Sequence, residues 1–351
     1  MPNQNRRLFW EKLFIIIALF GFLSTQATAA SFDCKKAASW VEKAVCSNPE
    51  LSKLDDELAK SYHDTLVSLS PAGQEETKQY QKQWLKNIYH INKDKRAYKK
   101  DTSPIAGGGV SIKKDVSSAL KVAYEDRIRQ LQQILIKFPD RIFRNVYGMY
   151  LKIYDEDCPD EITKKELTYQ QMENPRNENE KFWNTFIYQK AHNDFKVDKD
   201  QRCDDTHEGY DVIFSNKHSI SLQQVYYHYA HGAAHGSQST TSFCWLLDAK
   251  RKLQASDLFD DKTGWSNKLK ALIYKKLKEQ LVANKEAFEI EPDDLMDIVT
   301  SADGWMILKD GLGIQFNEWS LGNRIDPILI TLDWKTIDPY ISKNGHSLIL
   351  D

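Results

Sequence analysis

Ser31-Phe32-Asp33-Cys34-Lys35-Lys36-Ala37-Ala38-Ser39-Trp40-Val41-Glu42-Lys43-Ala44-Val45-Cys46 decides how this chain folds. It sets two cysteines, with eleven residues between them, in a short helical segment and its exit. The thirty residues in front read as a secretory signal, 1–30. Arg6, Arg7 and Lys12 supply its positive start. Leu13 to Leu23 is an apolar run of eleven residues, too short to span a bilayer. Ala27-Thr28-Ala29 or Thr28-Ala29-Ala30 offers the small-residue cleavage site. Ser31-Phe32-Asp33 is not the small apolar triplet that lipidation of Cys34 requires. The expectation is a soluble protein of the periplasm, or a secreted one, with no transmembrane segment after signal cleavage.

About 320 residues follow the signal, enough to bury two cores, and the apolar content of 41% is that of a globular protein. From Asn48-Pro49, a helix N-cap and first-turn pair, Leu51, Leu54, Leu58, Tyr62 and Leu66 recur at spacings of three and four. Ser70-Pro71-Ala72-Gly73 breaks the run. Tyr80, Trp84, Leu85 and Ile88 mark a second helix. A third is expected from Ser117 to Lys137, with Leu120, Ala123, Tyr124, Ile128, Leu131 and Leu135 on its apolar side. Between them Gly107-Gly108-Gly109, in a basic stretch, reads as loop. These elements define a small all-α domain, 31–137, closed by a disulfide.

Pro139 marks a change of period. Val146 to Tyr154 is rich in aromatic and branched residues and reads as a strand. Strands are also expected at 210–214, 219–229, 239–247, 305–308, 312–316 and 327–332, and helices near 181–193, 266–282 and 334–340. Strict β-α-β alternation is missing. The second domain, 138–351, is therefore expected to be α+β with an antiparallel sheet, and the chain as a whole multidomain.

Charge divides along the same boundary. Residues 31–137 hold 19 basic and 14 acidic groups, and residues 138–351 hold 26 and 35, a balance of −9. An acidic exported domain repels nucleic acid and attracts cationic proteins. All five cysteines lie behind the signal, where disulfides form. Cys34 with Cys46 is the first pairing expected and Cys158 with Cys203, both in polar, loop-like surroundings, the second. Cys244, inside Thr241-Ser242-Phe243-Cys244-Trp245-Leu246-Leu247, reads as a free core thiol.

Residues 31–137 resemble the N-terminal domain of the lysozyme inhibitor LprI. The shared elements are Asp33-Cys34, Val41-Glu42-Lys43-Ala44-Val45-Cys46, Asn48-Pro49-Glu50-Leu51, Leu54-Asp55, Gln83-Trp84-Leu85, Ala119-Leu120-Lys121 with Tyr124, and Arg127-Ile128 with Leu131. Where that family usually has a second cysteine pair, this chain has Asn87-Ile88-Tyr89-His90 and the glycine-rich loop. Residues 140–342 resemble the extracellular domain of the anti-sigma factor RsiV, which also occurs in some peptidoglycan deacetylases. Here the match rests on Tyr227-His228-Tyr229-Ala230-His231-Gly232-Ala233-Ala234-His235-Gly236, Ser242-Phe243 with Leu247-Asp248, Ala255-Ser256-Asp257-Leu258-Phe259 and Gly311-Leu312-Gly313-Ile314-Gln315-Phe316. It weakens over Asn317 to Asp326, where Trp319, Gly322 and Arg324 depart from the pattern. The first resemblance implies inhibition of lysozyme and the second implies binding it. A lysozyme-like muramidase or another cell-wall hydrolase is thus the partner they imply. The alternative is a periplasmic immunity or envelope-sensing module that binds another protein or cell-wall glycan.

His228, His231 and His235 invite comparison with a metal site, but Gly232 and Gly236 favour a turn after a strand, with His235 bonded to its own loop. Glu289, Glu291, Asp293, Asp294 and Asp297 lack the spacing of a calcium loop and read as a helix start behind Pro292. No cofactor or metal is expected. No nucleophile elbow, phosphate loop or zinc-protease helix occurs in the sequence. A carboxylate pair for glycoside hydrolysis has no diagnostic spacing, so the expectation of a binding protein, not an enzyme, rests on the other motifs. Partner contact is expected at His231 and His235 in the first turn and at Trp319 and Arg324 in the second loop, because loops carry recognition.

Overall fold

The computed structural model describes residues 30–90, 116–153, 162–195, 203–283, 295–317 and 327–349. Four helices come first: α1 (Trp40–Ser47), α2 (Pro49–Ser68), α3 (Pro71–His90) and α4 (Val116–Gln132). Ser39 and Glu42 form a capping box at the start of α1, and the Asn48 side chain accepts from the Glu50 and Leu51 amides at the start of α2. The Cys34–Cys46 disulfide ties a 3-10 turn (Cys34–Lys36) to α1. Val45, Leu51, Leu58, Trp84, Leu120 and Ile128 form the core between these helices, and the Trp84 and Tyr124 rings meet edge to face at 5.3 Å.

The third helix is shorter than its apolar spacing predicts. It stops at Gln132, and Leu135–Lys137 is a strand, β1, paired antiparallel with β2 (Ile142–Ile153) across a turn at Pro139-Asp140. Leu131 and Leu135 satisfy a helical period, but Ile134 and Ile136 also alternate, and pairing with β2 decides between the two. The expected division after residue 137 therefore falls in a hairpin turn.

Next come β3 (Ile162–Met172), α5 (Glu178–Asp194), β4 (Asp204–Ser215), β5 (Ser219–Ala230), β6 (Ser237–Leu246) and β7 (Arg251–Lys252). They complete a seven-stranded sheet in the order β1-β2-β3-β4-β5-β6-β7. The expectation of a purely antiparallel sheet is corrected here. β3 and β4 run parallel, because α5 carries the chain back across one face. β3 itself was not anticipated. Lys164-Lys165-Glu166 hides its alternation, and the core-facing Leu167, Tyr169 and Met172 come only in its second half.

Trp183, Ile187 and Ala191 recur every four residues along α5 and are fully buried against that face, with Phe143, Tyr169, Tyr210, Ile220 and Trp245 beneath them. Burying a side chain of that size contributes about 1.5–3 kcal/mol. The opposite face meets a second, antiparallel sheet in the order β10-β9-β8, built from β8 (Trp305–Ile307), β9 (Gly311–Phe316) and β10 (Ile328–Asp333). Short helices α6 (Ala255–Leu258) and α8 (Met296–Thr300) flank it, with α9 (Trp334–Ile337) and α10 (Lys343–Ile349) at the end; α10 was not anticipated. The long α7 (Trp265–Ala283) covers this sheet through Leu269, Ile273, Leu277 and Leu281, again one residue in four.

Cys244 is free and buried in this second core, as the sequence suggests, and burial pushes its thiol up to about 11. Ser219, Ile220, Ser221 and Leu222 are buried on both sides of β5 because the sheet is covered on both faces there. The serines survive by bonding: Ser221 Oγ donates to the Ile307 carbonyl at 2.6 Å.

A buried ionic network joins the helices to the large sheet. Arg144 on β2 donates from Nε to Glu173 Oε2 at 2.8 Å and places Nη1 2.7 Å from Glu76 Oε2 on α3. Glu173 also accepts from the Ser70 amide, just before α3 begins. Tyr80 on α3 approaches Tyr169 on β3, hydroxyl to hydroxyl, at 3.5 Å.

Candidate binding surface

Beyond Leu222, β5 leaves the covered centre of the sheet. Tyr226 and Tyr227 are 36% and 37% exposed, among the large apolar side chains that reach solvent. Successive strand residues point to opposite faces, so the two phenols lie on either side of the β4-β5-β6 end. Tyr226 stands opposite Glu208 on β4 and Ser239 on β6; Tyr227 stands opposite His207 and Gln238. Burial, with Asp204 and Glu208 close by, pushes the Tyr226 phenol up. Tyr227 lies flat over Gly236, where an added Cβ would sit 2.5 Å from its hydroxyl. Glycine at 236 is therefore a condition for that ring position.

The turn from Ala230 to Ser237 contains the histidines singled out from the sequence. Gly232 adopts φ +88°, a conformation that favours glycine. His235 accepts no distant partner; its Nδ1 lies 3.0 Å from the Gly236 carbonyl, the bond to its own loop that the turn reading expects. The His231 side chain is only 3% exposed, and its Nε2 sits 3.1 Å from Asp205 Oδ1. Its backbone amide donates to the Cys203 carbonyl at 2.8 Å, so His231 anchors the turn while His235 faces outward. No group of three or more histidines, cysteines and carboxylates placed to hold a metal occurs among the described residues.

Beneath this end lies a row of charges that sequence reading missed. Asp204, 5% exposed, accepts from Lys165 Nζ at 3.3 Å and faces His228 Nε2 at 3.1 Å. Farther along, Gln224 donates to Glu208 at 2.6 Å and to the Tyr210 hydroxyl at 3.1 Å, while that hydroxyl donates to Asp194 at 2.6 Å. Burial raises the Glu208 carboxyl, an effect that the bond from Gln224 opposes. Burial acts the same way on Asp194, but the Lys190 ammonium and the Tyr210 hydroxyl outweigh it and hold that carboxyl low. The two acids share Gln224 and are driven apart. Only register could have shown this, because Lys165, Asp204 and His228 come from three separate strands.

Trp319 and Arg324, expected to contact a partner, lie outside the described residues, as does most of the acidic cluster from Glu289 to Asp294. Cys203 is disulfide-bonded, and Cys158, its expected partner, also lies outside them. Among the described residues no helix is long and apolar enough to cross a membrane.

The chain matches no protein-family description and no curated protein. Among solved structures it is similar to a DUF3298 family protein from Pseudomonas aeruginosa PAO1, at 11% identity and a TM-score of 0.42, over 58% of this chain and 95% of that one. It is also similar to a member of the same family from Bacteroides fragilis, at 14% identity and a TM-score of 0.39, over 57% of this chain and 94% of that one.

Proposed function

We propose that this chain is an exported binding protein that recognises a lysozyme-like peptidoglycan hydrolase and inhibits it by occluding its cleft. One observation carries the reading: the end of β4-β5-β6 presents an exposed tyrosine on each face, above the carboxylates Asp204, Asp205 and Glu208. Tyrosine, like tryptophan and arginine, is enriched among the side chains that anchor interfaces, with a large apolar body and a polar tip. A strand end with a phenol on either side suits insertion into a groove. The −9 balance of residues 138–351 favours a cationic partner and speeds encounter with it. The sequence resemblances to LprI and to the RsiV extracellular domain support the same partner class.

The test is a titration of muramidase rate with the purified protein, against chicken-type, goose-type and invertebrate-type lysozymes, at low and moderate salt. Stoichiometric inhibition that persists at moderate salt is expected for at least one class. Replacing both Tyr226 and Tyr227 by alanine should weaken it at least tenfold, about 1.4 kcal/mol. Absence of inhibition and of calorimetric binding with all three classes refutes the reading.

A further inference from the structure

A second feature lies away from that surface, between the helices and the large sheet. A small cleft of about 30 Å3 opens to solvent there, lined by Gln83 and Trp84 of α3, Arg127 and Gln130 of α4, Tyr147 of β2 and Glu166 of β3, among others. Arg127 is its unusual member. The residue is only 4% exposed. Its Nε donates to Gln81 Oε1 at 2.9 Å and its Nη1 to Gln130 Oε1 at 3.1 Å. Both acceptors are neutral amides. Among the described residues no carboxylate pairs with this guanidinium, and Nη2 donates to no protein group. Burial pulls the group down to about 10, so it stays charged at neutral pH. Among the described residues the other buried cations have carboxylates: Arg141 has Asp140, Arg144 has Glu173, and Lys165 has Asp204.

A guanidinium buried without a counter-charge is costly to desolvate. A bound anion offsets that cost, and the guanidinium fork matches a carboxylate through two parallel bonds. The cavity volume corresponds to about two water-sized positions, which is the pair of carboxylate oxygens. Glu166 on the facing wall, with His207 Nδ1 3.8 Å from one of its oxygens, adds negative charge that disfavours a dianion. Gln83 at the exposed rim and the half-buried ring of Tyr147 offer amide and aromatic contacts of the kind a sugar ring uses.

We propose that this cleft is a binding subsite for a small monocarboxylate bearing hydroxyl and amide groups, of the amino-sugar-acid type. Arg127 holds the carboxylate, and the remainder of the ligand lies in the open mouth. The site stands independently of hydrolase binding, since it is measured on the protein alone.

Calorimetric titration of the protein with N-acetylmuramic acid, N-acetylglucosamine and inorganic phosphate tests it. The first two share a ring and differ in the carboxylate. Saturable binding of the acid is expected, with at least tenfold weaker binding of the other two. Arg127→Gln, checked for native circular dichroism, should lose at least tenfold, and Arg127→Lys should lose less. Gln83→Ala, at the rim, should lose a fewfold without affecting the fold. The proposal is overturned by no saturable binding of the acid, by equal binding of the neutral sugar, by binding of phosphate alone, or by unchanged affinity in folded Arg127→Gln. If Arg127→Gln does not fold, the preference among the three ligands and the Gln83→Ala result still decide.

Discussion

Replacing Glu173 by glutamine should loosen the helices from the sheet, and the size of the effect follows from the geometry. The Glu173 side chain is 2% exposed. One of its oxygens accepts from Arg144 Nε and the other from the Ser70 amide. Glutamine keeps one acceptor and turns an N–H2 group towards a donor, so one N–H loses its partner and Arg144 loses a full counter-charge. Breaking a buried pair from one side costs about 3–5 kcal/mol. Glu76 remains 2.7 Å from Arg144 Nη1, with a side chain 35% exposed, so the lower end, about 3 kcal/mol, is expected. The assay is urea denaturation followed by circular dichroism and tryptophan fluorescence. Arg144→Met is measured alone and combined with Glu173→Gln. If the two residues act as a pair, the double variant costs clearly less than the sum of the singles, with a coupling above about 1 kcal/mol. A single-variant cost below about 1 kcal/mol, or additive effects, would refute the view that this network joins helices to sheet.

Other consequences are open to measurement. Gly73→Ala places a methyl 2.7 Å from Glu173 Oε1 and 2.9 Å from Arg144 Nε, and this overpacking of the same junction should cost about 1–3 kcal/mol in denaturation. Removing the Cys34–Cys46 bridge as a double alanine variant frees a closed loop with a sequence separation of 12, worth about 3 kcal/mol by loop-closure entropy, and thermal unfolding should show the loss. Trp183→Ala opens the centre of the core under α5 and should cost about 3–5 kcal/mol, a value that denaturant titration would check. Glu208 is raised from its ordinary 4.5, so the folded chain holds that proton more tightly than the unfolded one. Its contribution is complete below 4.5 and is lost as pH rises through the folded value. Glu208→Gln should therefore gain on the wild type in melting temperature as pH is raised from 4 towards 7; a gap that is flat or runs the other way contradicts the burial argument.

The legibility of the chain varied by element. Helices α2, α3, α5 and α7 were readable because each buries one narrow stripe, and residues such as Leu269, Ile273, Leu277 and Leu281 repeat at its period. β5 and β6 were readable because they are rich in aromatic and branched residues. β3 was not, since a central strand that buries Lys165 in an ion pair has no apolar pattern to show. The turn at His231 to Gly236 was legible as a turn from its glycines. That His231 anchors it on Asp205 while His235 faces outward depended on which residue stood opposite on β4.

By itself, then, the sequence determined the local facts: the paired Cys34 and Cys46, the helical first part, the charge division and the free Cys244. These depend on neighbours within a few residues of one another, and periodicity and composition record them directly. Only the tertiary structure decided that β3 and β4 run parallel, that Arg144 links α3 to the sheet, and that Arg127 stands buried with no carboxylate partner among the described residues. Each of those joins residues far apart in the chain, and their energies depend on burial and register, which no single stretch of sequence contains.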